Sequence, residues 1–219
     1  MNDRAALLLV FYETLVRELG PSRWWPAETP FEVAVGAVLT QNTNWANVER
    51  AIANLRREGV LEPEALYALD EARLAELIRP AGYFRLKAGR LRNLLVFLEE
   101  QCSLRIEGLR GRDMDSLRGE LLAVKGVGPE TADSILLYAL EMPSFVVDAY
   151  TRRIVSRHSL LDEGVSYHDL RKFFMDVLPR DVNLYNEFHA LLVRAGNHWC
   201  GKKRGNCGEC PLSVFLEKQ

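Results

Sequence analysis

The sequence predicts an all-α fold, and three observations predict it. Apolar residues recur at helical spacing in one segment after another. No stretch alternates with period two long enough to make a strand. Connections are short and marked by Gly and Pro, with no low-complexity linker and no repeat at a solenoid period. Of the 219 residues, 48% are hydrophobic, which is ample for a core. The pattern accommodates about ten helices joined by short turns.

The first helix is expected over Arg4 to Leu19, with Leu8, Phe11, Leu15 and Leu19 on one face and Gly20-Pro21-Ser22 as its stop. Arg23-Trp24-Trp25-Pro26 reads as an aromatic loop in a chain with four tryptophans. The run FEVAVGAVL, 31–39, is nearly continuously apolar, as for a helix buried on most sides, and it leads into Thr40-Gln41-Asn42-Thr43-Asn44-Trp45. Helical patterns follow at 46–57, 63–69, 72–78, 87–101 and 114–124.

The stretch from Leu121 to Asp148, LLAVKGVGPETADSILLYALEMPSFVVD, organises the rest. One helix ends, Gly126-Val127-Gly128 turns tightly, and Pro129 opens a second helix expected to reach Glu141. The two glycines permit φ values that a side chain would forbid, so the turn can press bare backbone against a ligand. Proline is pre-set for a first helical position. The amides that follow, with the positive end of the helix dipole, suit a phosphate. Asp148 then follows Phe145-Val146-Val147 and opens a helix over 148–158, and the last helices are expected over 167–177 and 185–200.

Net charge is −2 and the pI about 6.1. Whole-surface attraction for phosphate is therefore weak, and any nucleic-acid binding must use local patches and backbone amides. No run approaches a membrane span, and MNDRAALLLVFY lacks the basic start and cleavage site of a signal peptide. The chain is expected in the cytoplasm, away from membranes, so its four cysteines read as free thiols or metal ligands rather than disulfides.

A lone G-V-G is a common helix–helix turn, and a lone Asp before a helix is most often an N-cap. Their order and spacing together resemble the helix-hairpin-helix (HhH-GPD) DNA glycosylases of the endonuclease III superfamily, over about Pro30 to Cys210. The resemblance implies two helical domains with DNA in the cleft between them. A central helix-hairpin-helix domain would span 23–143. A discontinuous domain carrying a cysteine loop would combine 1–22 with 144–219. It further implies a monomer acting on damaged double-stranded DNA, associated with the nucleoid when bound.

Asp148 matches the family's catalytic aspartate, whose carboxylate stabilises the oxocarbenium-like state or activates the attacking water. Strand-cutting members carry a lysine in the second position after the G-V-G, which forms a Schiff base with the sugar. This chain has Glu130 there. A carboxylate forms no imine, and Lys125, across the turn, reads as a structural or phosphate-contacting residue. The expected reaction is hydrolysis by water without strand cleavage.

The motifs at Lys125–Asp133 and Gly36–Thr43, with Trp24 and Trp25, resemble most the endonuclease III-related 3-methyladenine glycosylases. An N-alkylated purine is cationic, leaves readily and stacks well on electron-rich rings. Trp24, Trp25 and Trp45, with Glu130, are the base-pocket candidates. For Trp24 and Trp25, packing of the loop on the core competes equally; Trp45 lies where family members line the pocket. Gln41, beside Asn42, matches the residue that enters the gap left by a flipped base, and Tyr83 matches a second wedge. A helix C-cap partner and ordinary packing are the plainer roles for Gln41 and Tyr83. The backbone of Lys125, Gly126, Val127 and Gly128, and the basic loop Lys202-Lys203-Arg204, are the expected DNA contacts. Arg85, Lys87 and Arg90 fit phosphate contact and a solvated helix face equally.

Cys200, Cys207 and Cys210, followed by Pro211, match the first three ligands of the family's [4Fe–4S] loop. Leu216 stands where the fourth cysteine belongs. Three outcomes compete: a cluster with a non-cysteine fourth ligand, which is favoured; a loop that has lost its cluster; or zinc held by the three cysteines and His198. Cys102 reads as a separate core thiol. Two other functions stay open: an endonuclease III-type oxidised-pyrimidine glycosylase with lyase activity, opposed by Glu130, and a non-catalytic helix-hairpin-helix DNA-binding module, opposed by Asp148.

Overall fold

The computed structural model describes residues 3–22 and 27–216. Among these there are eleven α-helices and no strand. The chain divides into two compact units, Trp25–Met142 and Met1–Trp24 with Pro143–Gln219.

The first unit is built round α2 (Pro30–Leu39), on which every residue from Phe31 to Leu39 is buried. Thr29 caps its start by accepting from the Glu32 amide, and Thr40 closes its end on the Gly36 carbonyl. Around it lie α3 (Trp45–Arg57), α4 (Pro63–Ala68), α5 (Glu71–Leu77), α6 (Phe84–Cys102), α7 (Met114–Ala123) and α8 (Pro129–Ser134). Asn44, Asp70 and Asp113 cap α3, α5 and α7 by accepting from amides three residues on. Gly82 and Tyr83, at φ 68° and 44°, set the start of α6, three residues before the apolar pattern suggested.

The hairpin's second helix differs from expectation. α8 ends at Ser134 and continues as a π-helical turn over Ile135–Ala139, and Glu141 takes a φ of 56°. The apolar period does not register this widening, because Ile135, Leu136, Leu137 and Ala139 form a nearly continuous apolar run and are all buried. The 3-10 turns at Arg79–Ala81, Ile106–Leu109, Cys207–Glu209 and Pro211–Phe215 were likewise too short for periodicity to show.

The second unit holds α1 (Asp3–Leu19), α9 (Ala149–Arg157), α10 (Tyr167–Val177) and α11 (Val182–His198). Leu8, Phe11 and Leu15 of α1 are buried as expected, while Leu19 is only half-buried. Phe145 stacks on Phe174 at 4.1 Å and meets Tyr185 and Phe188 edge-on, so an aromatic cluster fixes the strand-like run that leads into Asp148. Gly196 of α11 faces Tyr150 of α9; a Cβ there would lie 2.5 Å from the Tyr150 side chain, so the glycine is what lets α9 and α11 approach.

Candidate active site and nucleic-acid interface

The hairpin turn is held from several sides. Val127 packs its side chain into the core, so only its backbone can face a ligand. Gly126 has φ 98°, which favours glycine, and a Cβ there would sit 2.3 Å from Cγ of Arg90. Gly128 does not use that freedom: its φ is −92°, open to any residue, and nothing lies within 4 Å of where its Cβ would be. Its use is an unobstructed backbone at the start of α8, not an unusual dihedral. Asn93 donates to the Lys125 carbonyl at 2.8 Å, and Lys125 itself is exposed.

Gln41 is tied to this turn. Its Nε2 donates to the Gly126 carbonyl at 3.1 Å and to Thr131 Oγ1 at 2.9 Å, while Arg90 donates to its Oε1. It does not cap α2; Thr40 does. Asn42 is exposed with φ 53°. Tyr83 is 70% exposed and left-handed, a large apolar ring held out by a costly backbone conformation.

Lys87 corrects the reading of the α6 cations. It is 1% exposed, and its Nζ donates to the Leu39 and Ala81 carbonyls at 2.9 and 2.7 Å. Burial pushes its pKa down to about 8, helped by the charge of Arg90. Lys87 therefore ties α6 to the end of α2 and touches no phosphate. Arg85 is exposed, and Arg90 is engaged with Gln41.

Trp45 opens α3 and lines a hollow of about 240 Å3 with Glu32, Gly36, Glu49, Ile52 and Arg56. Arg56 pairs with Glu32, which is buried, and Glu49 is exposed. Two carboxylates against one guanidinium leave the hollow negative. Glu130 is exposed in the first turn of α8 and is not among the residues lining it. Trp24 and Trp25 lie outside the described residues.

Asp148 is half-buried and caps α9, its Oδ1 accepting from the Thr151 amide at 2.7 Å. The carboxylate sits at the positive end of the helix dipole. His189 of α11 is buried; burial pushes its pKa down while the charge of Asp148 opposes that shift. Sequence reasoning missed His189, because a single His on an apolar helix face carries no pattern.

The cysteines are all free. Cys200, Cys207 and Cys210 line one hollow together with Arg157, His158 and Leu216. Arg157 donates to Cys200 Sγ at 3.1 Å, the kind of bond a ligating thiolate accepts, and to the Lys202 carbonyl. Burial raises the Cys210 pKa, and the neighbouring Cys200 and Cys207 raise it further. Among the described residues, no three His, Cys, Asp or Glu side chains converge closely enough to hold a single metal ion. Three thiols lining one hollow are the donor type that an iron–sulfur cluster uses. His198 is exposed, lies edge-on to Trp199 and is not among the residues lining the hollow, which counts against zinc held through it. Lys202, Lys203 and Arg204 are exposed on the same loop. Cys102 lies apart at the end of α6, half-buried, and burial raises its pKa.

Residues 35–180 match the family model of the HhH-GPD superfamily base excision DNA repair proteins, and the chain belongs to that superfamily. It is 47% identical over 216 residues to a candidate DNA repair glycosylase of Methanocaldococcus jannaschii, covering 98% of this chain and 97% of that one. The crystal structure of a 3-methyladenine DNA glycosylase from H. pylori bound to 1,N6-ethenoadenine is similar with a TM-score of 0.76 and 28% identity, over 89% of this chain and 97% of that one. A non-covalent endonuclease III–DNA complex is similar in fold, with a TM-score of 0.81 at 22% identity over 97% and 95% of the two chains. The chain is thus a base excision repair DNA glycosylase of this superfamily, with DNA as its ligand.

Proposed function

We propose that this glycosylase is monofunctional and removes cationic alkylated purines, such as 3-methyladenine, from double-stranded DNA, acting as a cytoplasmic monomer. The observation that carries the reading is the negative, tryptophan-lined hollow beside α3. An electron-rich ring stacks on a cationic base, and the excess carboxylate attracts it. The similar H. pylori protein is itself a 3-methyladenine glycosylase.

In this reading Asp148 stabilises the positive charge developing on the sugar and orients water for attack. Glu130 supplies no amine, so no imine forms and the strand stays intact. Tyr83 enters the duplex as a wedge. Gln41 does so only by giving up its bonds to Gly126, Thr131 and Arg90. The hairpin backbone, Asn42, Lys125 and Lys202–Arg204 hold phosphates. The chain is read as two domains bounded at about residues 23 and 143.

A [4Fe–4S] cluster on Cys200, Cys207 and Cys210 would shape the loop that carries Lys202–Arg204. When bound it would supply rigidity to that loop rather than chemistry in base release.

The experiment is incubation with duplexes containing alkylated purines or oxidised pyrimidines, scoring base release apart from strand scission, with borohydride added in parallel. Release of 3-methyladenine with no strand break and no trapped adduct supports the reading. Trapping on an oxidised pyrimidine overturns it in favour of an endonuclease III-type lyase, and binding without release of any base leaves only a DNA-binding module.

A further inference from the structure

Lys87 is buried, and packing alone does not call for a lysine there. A methionine would fill a similar volume without desolvating an ammonium, so what the lysine adds is its hydrogen bonds. Its Nζ donates to the Leu39 carbonyl at 2.9 Å and to the Ala81 carbonyl at 2.7 Å. Leu39 is the last residue of α2, and Ala81 the last of the 3-10 turn Arg79–Ala81. Carbonyls at helix ends lack partners within the helix, and a cation suits them.

Both segments lead straight into the side chains read as wedges. Gln41 follows Leu39 by two residues, and Tyr83 follows Ala81 by two. Both also turn left-handed there, with φ 53° at Asn42, 68° at Gly82 and 44° at Tyr83. Such backbone persists only where its surroundings hold it. One ammonium bonded to both carbonyls holds the two segments at a fixed separation.

The same stripe of α6 reaches the hairpin, because Arg90 and Asn93 follow Lys87 at a helical spacing of three. Arg90 donates to Gln41 Oε1 and its stem lies against Gly126, while Asn93 donates to the Lys125 carbonyl at 2.8 Å. A guanidinium only donates and a carbonyl only accepts, so the Gln41 amide has one orientation between Arg90 and Gly126. Lys87 adds the Tyr83 segment to that frame.

We propose that Lys87 is a positioning residue for base extrusion, its ammonium holding Gln41 and Tyr83 as one unit for the duplex gap. The role rests on reading those two side chains as wedges. Its bonds are to backbone, so they survive when the Gln41 amide lets go of Gly126, Thr131 and Arg90. Extrusion costs unstacking, and a wedge offsets most of that cost when it arrives already ordered. Without the ammonium, each segment must be ordered separately as the gap forms.

The test uses the full chain and a duplex with a tetrahydrofuran abasic analogue beside 2-aminopurine, whose fluorescence reports unstacking. That duplex holds no damaged base, so the result does not depend on which lesion the protein removes. Wild type should prefer it to intact duplex and change its fluorescence at saturation. Lys87→Met should lower that preference several-fold and remove most of the fluorescence change. In a background of Gln41→Ala with Tyr83→Ala the same substitution should cost nothing further, whereas a lysine that only supports the fold costs the same in both. Circular dichroism at the assay temperature confirms that each variant is folded. Where Lys87→Met is not, Lys87→Gln, whose amide still donates, takes its place in the cycle with a smaller loss expected. No loss from the Lys87 substitution, or equal losses in both backgrounds, overturns the positioning role and leaves the wedges standing. Wild type without preference, matched by the double alanine variant, overturns the wedges and the role of Lys87 with them.

Discussion

Arg118 of α7 donates to both carboxylate oxygens of Asp133 of α8, at 2.8 and 2.9 Å, and Asp133 is fully buried. The pair clamps together the two helices on either side of the hairpin turn. Removing one partner leaves a charge in the interior, so Arg118→Met should lower stability by about 3–5 kcal/mol in urea unfolding. Adding Asp133→Leu should recover much of that loss. A single variant as stable as wild type would show that the clamp is dispensable.

The two hairpin glycines should separate fold from binding. Gly126→Ala meets the stem of Arg90 and a forbidden φ, at a cost of about 1–3 kcal/mol, and it should loosen the Arg90–Gln41 bond. Gly128→Ala meets nothing and should change stability by less than about 0.5 kcal/mol. Its methyl group would instead stand between backbone and phosphate, so affinity for undamaged duplex should fall. Melting and duplex titration of both variants decide it; equal melting losses would refute the distinction.

These glycines also show what the sequence could and could not convey. The turn itself was legible, because Gly-Val-Gly-Pro leaves few alternatives between two amphipathic segments. Which glycine needed its freedom was not, since φ depends on how Arg90 and Gln41 pack from α6 and the end of α2. Lys87 misled for the same reason. Its spacing from Arg90 suits a solvated face, and only the tertiary position of the Leu39 and Ala81 carbonyls turns it inward. Asp148 was legible through its local cap pattern, whereas His189 acquires meaning only from the packing of α11 beside Asp148. The broad helical layout followed from apolar periodicity, but the π turn after Ser134 falls on a run of almost wholly buried residues, where no periodic pattern marks the winding.

Lys87 should give stability a distinctive pH dependence. Its pKa is about 8 in the folded chain against an ordinary 10.5. Between those values the unfolded chain holds the extra proton, so stability rises with pH across that window. Below about pH 8 both states are charged and the burial penalty is fully present. Melting of wild type relative to Lys87→Met, from pH 7 to 10.5, should shift in favour of wild type as pH rises. A constant difference would mean that Lys87 keeps its proton throughout.

Trp45 is expected to discriminate damaged from normal bases. If its ring stacks on the cationic purine, Trp45→Ala removes about 1–3 kcal/mol from that contact alone. Removal of 3-methyladenine should then fall by more than binding to undamaged duplex does. Ala also shortens the side chain that packs on the core beside α2, so melting must be followed in parallel. Equal losses on damaged and undamaged DNA would reduce Trp45 to a packing residue.

Asp148 serves two ends, and substitutions can pull them apart. Its Oδ1 caps α9 by accepting from the Thr151 amide, a bond that an asparagine side chain makes nearly as well. Asp148→Asn should therefore melt close to wild type, whereas Asp148→Ala should lose about 0.5–2 kcal/mol with the cap. Base release should separate differently. A carboxamide carries no charge to oppose the one growing on the sugar, so both variants should lose turnover by at least about 10²–10³-fold. Binding to damaged duplex should persist in Asp148→Asn, because the wedge, hairpin and hollow are unaltered. If Asp148→Asn kept its turnover while Asp148→Ala lost stability, the aspartate would be a helix cap only, and the catalytic carboxylate would have to be sought elsewhere.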